Sequence, residues 1–194
     1  MIVLASTSPT RQSMLRSAGL DFSAAAPHVD EAALVARNPH WRASETALKL
    51  AEAKALDVSR RHDGSFVIGA DQVLALDDRI YGKPRDRAHC QQQLTELRGR
   101  RHSLISAVVL ARNGDIVWTH ADEALLTMRN YSDDFLQSYL DRIGTDCTSS
   151  VGGYKIEGPG IQLFEMIEGD HFTILGLPLV PLLNRLRHEG EIGS

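Results

Sequence analysis

The chain has 194 residues, of which 43% are hydrophobic and 24% charged, and its formal net charge is −4 at pH 7. This length and composition are typical of one globular domain with a substantial core. The acidic balance argues against general binding to nucleic acid or to an anionic membrane surface. We therefore predict a single domain over residues 1–194 that binds neither nucleic acid nor membrane.

Cysteine usage and apolar runs exclude further classes of protein. Cys90 and Cys147 are the only cysteines, and their separation fits neither a disulfide framework nor a zinc site. The apolar start at residues 1–5 lacks the basic region of a signal peptide. No apolar run reaches the ~18 residues of a membrane span. We expect a cytoplasmic protein.

The first structural unit is a strand that runs directly into a helix. Residues 2–5 are an apolar strand, Ser8 suits the N-cap, and Pro9 suits the first helical position. The free N–H groups and the dipole of a helix N-terminus attract anions. Arg11 lies in the first turn, where the dipole disfavours a cation. It therefore either meets an anionic ligand or points into water.

The next segment contains an acidic pair and a lysine-bearing helix. Residues 22–27 are predicted to form a strand, followed by Asp30 and Glu31, which suit a loop or helix start as well as a ligand role. Ser44 is predicted to cap a helix that runs to about residue 60. Lys54 falls on the apolar stripe of that helix. It either snorkels to the rim or serves a site, and the pattern alone favours snorkelling.

The central stretch, residues 65–84, carries the most informative polar residues. An apolar run at residues 66–68 is predicted to break at Gly69 and to deliver Asp71 at the end of a core strand. A hairpin follows, with Lys83 at its mouth. A carboxylate and a lysine on a rigid scaffold suit a metal or phosphate site. The alternative is a turn-capping aspartate and a solvated lysine.

The second half of the chain alternates helices with strand pairs. Asn113-Gly114 is a hairpin signal, and the glycine-rich segment at residues 152–160 either makes turns or lets backbone approach a ligand. We predict an α/β fold with a mixed sheet and helices packed on it. The predicted strands are residues 102–110, 116–128, 161–167 and 172–175, and the predicted helices run from Asp86 to about residue 98, from Ser132 to residue 144, and from residue 177 to before residue 190.

Cations and carboxylates along the chain suit one kind of chemistry. The cations are Arg11, Lys54 and Lys83, and the carboxylates are Glu31 and Asp71. Carboxylate oxygens suit Mg²⁺ or Mn²⁺, and cations at a helix N-terminus suit a polyphosphate. Together they indicate metal-assisted hydrolysis of a phosphoanhydride. No GxxxxGK[ST] motif occurs, so the chain is not a P-loop enzyme.

Six segments, in order along the chain, resemble the Maf family of nucleoside triphosphate pyrophosphatases. The resemblance covers essentially the whole chain, and the collinear order makes it specific. The segments are LASTSPTR at residues 4–11, VDE at 29–31, LAEAKA at 50–55, GADQ at 69–72, GKP at 82–84 and GLPL at 176–179.

This resemblance implies an inosine-triphosphatase-like fold, with an elongated mixed sheet flanked by helices in two lobes around a cleft. It implies hydrolysis of a nucleoside triphosphate between the α- and β-phosphates, a divalent metal (Mg²⁺ or Mn²⁺), and a homodimer. By position, Asp71 is the general base or metal-linked acid and Glu31 is a metal ligand. The implied phosphate binders are Ser8, Arg11, Lys54 and Lys83.

The resemblance also identifies residues that set base preference. Gln72 and Glu157 are similar to the branch of the family that acts on 7-methyl-GTP, and a carboxylate suits the N–H donors of a guanine edge. Thr10 departs from the family, which carries a basic or aromatic residue after the proline. The departure removes a stacking surface for a methylated, cationic base.

Two alternatives remain at this point. The chain could be a nucleotide-binding regulator of septum formation with little turnover, or an inosine-triphosphatase-like house-cleaning enzyme of the same fold. Glu31, Asp71 and the two lysines favour the pyrophosphatase, because a pure binder needs no water-activating acid.

Overall fold

The computed structural model describes residues 1–193, which form seven strands, seven α-helices and three short 3-10 helices. The strands are β1 (Ile2–Ala5), β2 (Phe22–Ala24), β3 (Phe66–Leu76), β4 (Arg79–Tyr81), β5 (Arg101–Arg112), β6 (Asp115–Met128) and β7 (Phe164–Glu168). The α-helices are α1 (Pro9–Ser17), α2 (Glu31–Ala36), α3 (Ala43–Ser59), α4 (Arg87–Leu97), α5 (Asp133–Ile143), α6 (His171–Ile174) and α7 (Leu179–His188). The 3-10 helices are Gly144–Thr148, Val151–Gly153 and Pro159–Leu163.

The strands form one mixed sheet in the order β2-β1-β3-β5-β6-β7, with β4 paired to β3. β1 lies parallel to both of its neighbours, with Ile2 opposite Phe22 on one side and Phe66 on the other. β4 and β7 pair antiparallel with β3 and β6, respectively. The predicted α/β class and mixed sheet are therefore confirmed.

The chain divides into two compact units. The first comprises Met1–Gln72, Ile105–Glu123 and the residues from Asp170 onward, and the second comprises Val73–Leu104 and Ala124–Gly169. The single domain over residues 1–194 stays a prediction. Within residues 1–193, no helix is both long and apolar enough to cross a membrane.

In the first unit, alternate residues of β1 face different helices. Ile2 and Leu4 pack in a core with α1 and α7, as the two-residue period of a strand requires. Val3 and Ala5 face the other way and pack with Val58 of α3. Helices therefore cover both faces of the parallel strands, as is usual for such strands.

In the second unit, buried hydroxyl groups tie helices to loops. Tyr131 Oη donates to the carbonyl of Leu94 at 2.7 Å, and Tyr139 Oη donates to the carbonyl of Gly153 at 3.1 Å. His102 Nε2 and Tyr154 Oη lie 2.7 Å apart. These contacts fix the glycine-rich segment, in which Gly152 and Gly153 have φ of 73° and 72°.

β3 is continuous, so the predicted break at Gly69 is wrong. Gly69 is required by helix packing: an added Cβ would overlap the carbonyl oxygen of Ala51 and lie 2.7 Å from Ala55 Cβ. The glycine lets α3 approach the strand at the level of Lys54 and Asp71. Asp71 consequently lies in the middle of a buried strand rather than at its end.

Other predicted elements and boundaries also differ: β2 ends at Ala24 rather than at residue 27, and α7 begins at Leu179 rather than at residue 177. Helix α3 begins at Ala43 after Arg42 and has no side-chain cap, so Ser44 is not the N-cap. Residues 172–175 are not a strand, because the Asp170 side chain accepts from the N–H of Thr173 and caps α6. β7 begins only at Phe164, because the preceding residues form a 3-10 helix started by Pro159.

Candidate active site

The turn between β1 and α1 presents hydroxyl groups and helix N–H groups together. Ser8 is the N-cap, as predicted, and its Oγ accepts from the N–H of Arg11 at 3.4 Å. The buried Ser6 Oγ accepts from the N–H of Ser8 at 3.2 Å. Each hydroxyl keeps its own proton available to donate. The turn can therefore offer donors to an anion at the positive end of a helix.

Arg11 does not point into water. Its Nε donates to the carbonyl of Gly176 at 2.8 Å, in the segment between α6 and α7. Burial lowers the pKa of Arg11 from its ordinary value, and the negative charges of Asp71 and Glu31 oppose that change. The guanidinium therefore stays cationic within the influence of both carboxylates, as a phosphate-binding group requires.

Lys54 connects the two candidate carboxylates. Its Nζ lies 2.6 Å from Asp71 Oδ1 and 2.9 Å from Glu31 Oε1. The side chains of Lys54 and Asp71 are 8% and 10% exposed, whereas that of Glu31 is 48% exposed. Snorkelling of Lys54 to the rim was the wrong interpretation, because the ammonium is buried and paired.

The carboxylate of Asp71 is buried, which disfavours its charged form. Burial raises its pKa above the ordinary value for aspartate, while the charges of Lys54 and Arg11 act to lower it. A carboxyl whose pKa is moved toward neutrality is a stronger base than an exposed one. Asp71 can therefore accept a proton or bind a cation at neutral pH.

Gln72 follows Asp71 and is held by its amide nitrogen. Nε2 donates toward the carbonyls of Ile174 and Thr173 at 2.9 and 3.1 Å and toward Ser106 Oγ at 3.1 Å. These contacts tie β3 to the end of α6. The amide nitrogen is thus committed within the protein, and the carbonyl oxygen is the group that Gln72 can offer to a ligand.

The remaining predicted residues have less contact with the protein. Thr10 is half-buried in α1 of the first unit. Lys83 is exposed in the second unit, in the loop before α4, where Gln93 Nε2 donates to the carbonyl of Gly82 at 3.2 Å. Glu157 is exposed in the turn that precedes Pro159, also in the second unit.

The first unit thus brings together Arg11, Glu31, Lys54 and Asp71 around one buried ion pair. For Lys83 and Glu157, which belong to the other unit, the assignment as phosphate binder and base reader rests on sequence.

Two carboxylates are available for a metal ion. Among residues 1–193, no three His, Cys, Asp or Glu side chains lie close enough to form a metal site by themselves. Mg²⁺ in nucleotide enzymes usually takes only one or two carboxylates and completes its shell with phosphates and water. Glu31 and Asp71, which meet at a single cation, fit that requirement.

Sequence reasoning missed two residues of this site. Ser6 was not singled out because Ser8 carries the stronger capping signal. A second serine two residues before an N-cap nevertheless indicates a further hydroxyl at the turn. Gly176 has φ of 100° and accepts from Arg11 through its carbonyl. Its place in the GLPL segment was the available signal.

Comparison with known proteins identifies the family. The family model described as "Maf-like protein" matches residues 1–189. The chain belongs to the Maf family. A curated relative from Rhizobium meliloti, named 7-methyl-GTP pyrophosphatase, is 50% identical over 100% of this chain and 98% of its own length. Another from Rhodopseudomonas palustris, named nucleoside triphosphate pyrophosphatase, is 50% identical over 97% of this chain and 93% of its own.

Among solved structures, a nucleoside-triphosphatase (dITP/XTP pyrophosphatase) from Mycobacterium abscessus is 17% identical, with a TM-score of 0.46 over 99% of each chain.

Proposed function

We propose that this Maf chain hydrolyses nucleoside triphosphates between the α- and β-phosphates and releases the monophosphate and pyrophosphate. The observation that carries the proposal is the ion pair of Lys54 with Asp71 and Glu31, which joins two carboxylates and a cation in a largely buried site. Relatives of the same length that are 50% identical carry the names of such enzymes, which supports the same reaction here.

The positive groups of the site bind the triphosphate. The hydroxyl of Ser8 and the N–H groups of the first turn of α1 donate to phosphate oxygens, and Arg11 and Lys54 supply positive charge. For Lys83, the proposed role as a phosphate binder rests on sequence alone. These contacts orient the phosphate chain and stabilise the charge that develops on the leaving pyrophosphate.

Asp71 acts on the attacking water. Its raised pKa suits it to accept a proton from water as the oxygen bonds to phosphorus. Glu31 and Asp71 would hold the divalent ion, Mg²⁺ or Mn²⁺, which when bound would neutralise phosphate charge and lower the pKa of water.

The proposed substrate class is guanine triphosphates, with 7-methyl-GTP as the specific candidate. On sequence, Glu157 is assigned to the N–H donors of the guanine edge, and Gln72 of the first unit has its carbonyl oxygen available to a ligand. One relative is named for this substrate and another for nucleoside triphosphates in general, and Thr10 favours the broader profile because it offers no ring for stacking. The homodimer and the cytoplasmic location stay predictions.

A nucleotide panel tests the proposal. Purified protein is incubated with ATP, GTP, dTTP, UTP, ITP and 7-methyl-GTP in the presence of Mg²⁺ or Mn²⁺, and pyrophosphate and monophosphate are measured. We expect one pyrophosphate for each monophosphate, and guanine triphosphates ahead of dTTP and UTP. Nucleotide binding without pyrophosphate release would instead favour a regulatory protein, and strongest turnover of ITP would favour the inosine-triphosphatase-like alternative.

A further inference from the structure

The ammonium of Lys54 is the shared counter-ion of two carboxylates. Its Nζ contacts Asp71 Oδ1 at 2.6 Å and Glu31 Oε1 at 2.9 Å, and the lysine side chain is 8% exposed. The burial of Asp71 makes an unpaired carboxylate there unfavourable, and the ion pair with Lys54 offsets part of that free-energy cost. The same two carboxylates are the metal ligands of the proposed function.

A divalent ion held by Asp71 and Glu31 would compete with this ammonium for the same two carboxylates. Mg²⁺ binds carboxylate oxygen at about 2.0–2.1 Å, so an ion held by both Asp71 and Glu31 would have to lie close to both carboxylates. The ammonium of Lys54 already lies within hydrogen-bond distance of both. Two cations so close repel each other strongly in a site with little water.

We propose that Lys54 and the divalent metal are alternative counter-ions for Asp71 and Glu31, and that the nucleotide phosphates receive Lys54 when the metal binds. The inference rests on the proposed function. It makes metal and nucleotide binding mutually favourable, because the phosphate chain accepts the displaced ammonium and also ligates the metal. Without nucleotide, Lys54 offsets part of the negative charge of the two carboxylates and keeps metal affinity low.

Metal binding without nucleotide tests this inference directly. Mn²⁺ is titrated into the protein at pH 8, and free Mn²⁺ is followed by electron paramagnetic resonance. Lys54→Met keeps the length of the side chain and removes the competing charge. We expect Mn²⁺ to bind Lys54→Met about tenfold or more tightly than wild type, because the repulsion is gone.

Lys49 provides a matched control on the same helix. It pairs with Glu52 at 2.8 Å and has no ion pair with Asp71 or Glu31 within the described residues 1–193. Lys49→Met removes the same charge from α3 and should leave Mn²⁺ affinity within twofold of wild type. Equal tightening in both variants would show a general charge effect and overturn the inference.

Two further variants separate this inference from the proposed function. Asp71→Asn and Glu31→Gln should each weaken Mn²⁺ binding. If neither does, the metal site assigned to these carboxylates is wrong. If both do and Lys54→Met leaves Mn²⁺ affinity unchanged or weaker, the metal site stands and the exchange with Lys54 is refuted.

A wild-type measurement covers the case in which Lys54→Met fails to fold. Lysines are acetylated for short times with and without saturating Mn²⁺, and the extent at each lysine is read by mass spectrometry. We expect Mn²⁺ to increase acetylation of Lys54, which is displaced from its buried pair, and to leave Lys49 unchanged. Unchanged or reduced acetylation of Lys54 would overturn the inference.

Discussion

Asp71 owes its chemical character to its neighbours along and across the chain. It lies on a buried strand between Ala70 and Gln72, so its carboxylate has lost most of its water. Lys54 reaches it because Gly69 permits α3 to pack closely on β3. Burial and pairing act on its pKa in opposite directions, and the net effect is a rise. The site therefore holds a carboxylate that is both ionisable and basic.

Asp71→Asn should abolish most of the turnover. The amide keeps the size of the side chain but can neither accept a proton from water nor bind a cation strongly. General base catalysis contributes about 10²–10⁴-fold, so we expect a fall in kcat of that order. The measurement is pyrophosphate release at saturating nucleotide, with circular dichroism to show that the fold is kept. A near-normal kcat in this variant would mean that Asp71 is not the general base, and Glu31 would be the next candidate.

Lys83→Met should weaken nucleotide binding or slow turnover without loss of stability. Lys83 is exposed, so its charge contributes little to the fold. Methionine preserves most of the stem and removes only the charge that is proposed to contact phosphate. We expect KM to rise or kcat to fall while Tm changes by less than about 2 °C. A lower Tm with unchanged kinetics would assign Lys83 a structural role instead.

Thr10→Trp should sharpen the preference for 7-methyl-GTP. Threonine offers no ring, whereas stacking of an aromatic side chain on a cationic base contributes about 0.5–2 kcal/mol. The kcat/KM ratio of 7-methyl-GTP to GTP should rise in this variant, and Glu157→Gln should narrow the gap between guanine and pyrimidine triphosphates. Unchanged ratios in both variants would place base recognition on other residues.

At the level of elements, several helix starts were predictable and pairings were not. Ser8 is the predicted N-cap, and Asp86 and Ser132, which were predicted as helix starts, also accept from a first-turn N–H group. The predicted cap Ser44 does not cap α3. Such signals are local, within three or four residues. The predicted strand at 172–175 failed because its apolar residues outweighed the capping signal of Asp170.

The candidate site depends on contacts that no local signal contains. Lys54 and Asp71 are 17 residues apart, and Arg11 contacts Gly176 across 165 residues. Each residue could be nominated from its segment, but the lysine was expected at the rim because a helical stripe does not show what lies opposite it. The carboxylate opposite Lys54 depends on how β3 packs against α3, which only the fold determines.

Gly69→Ala should destabilise the contact between β3 and α3. The added Cβ would lie 2.7 Å from Ala55 Cβ and overlap the Ala51 carbonyl, so backbone must move. Overpacking of this kind costs about 1–3 kcal/mol. Separation of helix and strand should also lengthen the Lys54–Asp71 contact and reduce turnover.

Gly82→Ala is the matched stability control, because a Cβ there meets no atom within 4 Å. In denaturant unfolding, the free energy of unfolding should fall clearly for Gly69→Ala and change little for Gly82→Ala. Equal midpoints for the two variants would mean that the packing of α3 tolerates the extra methyl group.

At the level of the whole molecule, His102 links stability to pH. It is 2% exposed, and burial lowers its pKa from 6.5 to about 4. The unfolded chain therefore binds a proton at higher pH than the folded one does. Stability from this group is fully present above about pH 6.5 and is lost as the pH falls toward 4. The shift corresponds to about 3 kcal/mol.

His102→Gln should flatten this dependence. The variant loses the contact with Tyr154 and is expected to be less stable than wild type at pH 7.5. Its further loss of unfolding free energy on acidification to pH 4.5 should be smaller than that of wild type, because the variant has no buried imidazole to protonate. Tyr154→Phe should retain the wild-type pH dependence, since burial and not the hydroxyl lowers the pKa of His102.

The measurement is the free energy of unfolding in urea at pH 7.5, 6.0 and 4.5 for wild type and both variants. Carboxylates whose protonation also destabilises the fold, such as Asp57 and Glu96, are common to all three proteins. Their contribution cancels when each variant is compared with wild type at the same pH. The gap between wild type and His102→Gln should therefore close as the pH falls. A gap that stays constant from pH 7.5 to 4.5 would mean that His102 is not the group that makes the protein acid-sensitive.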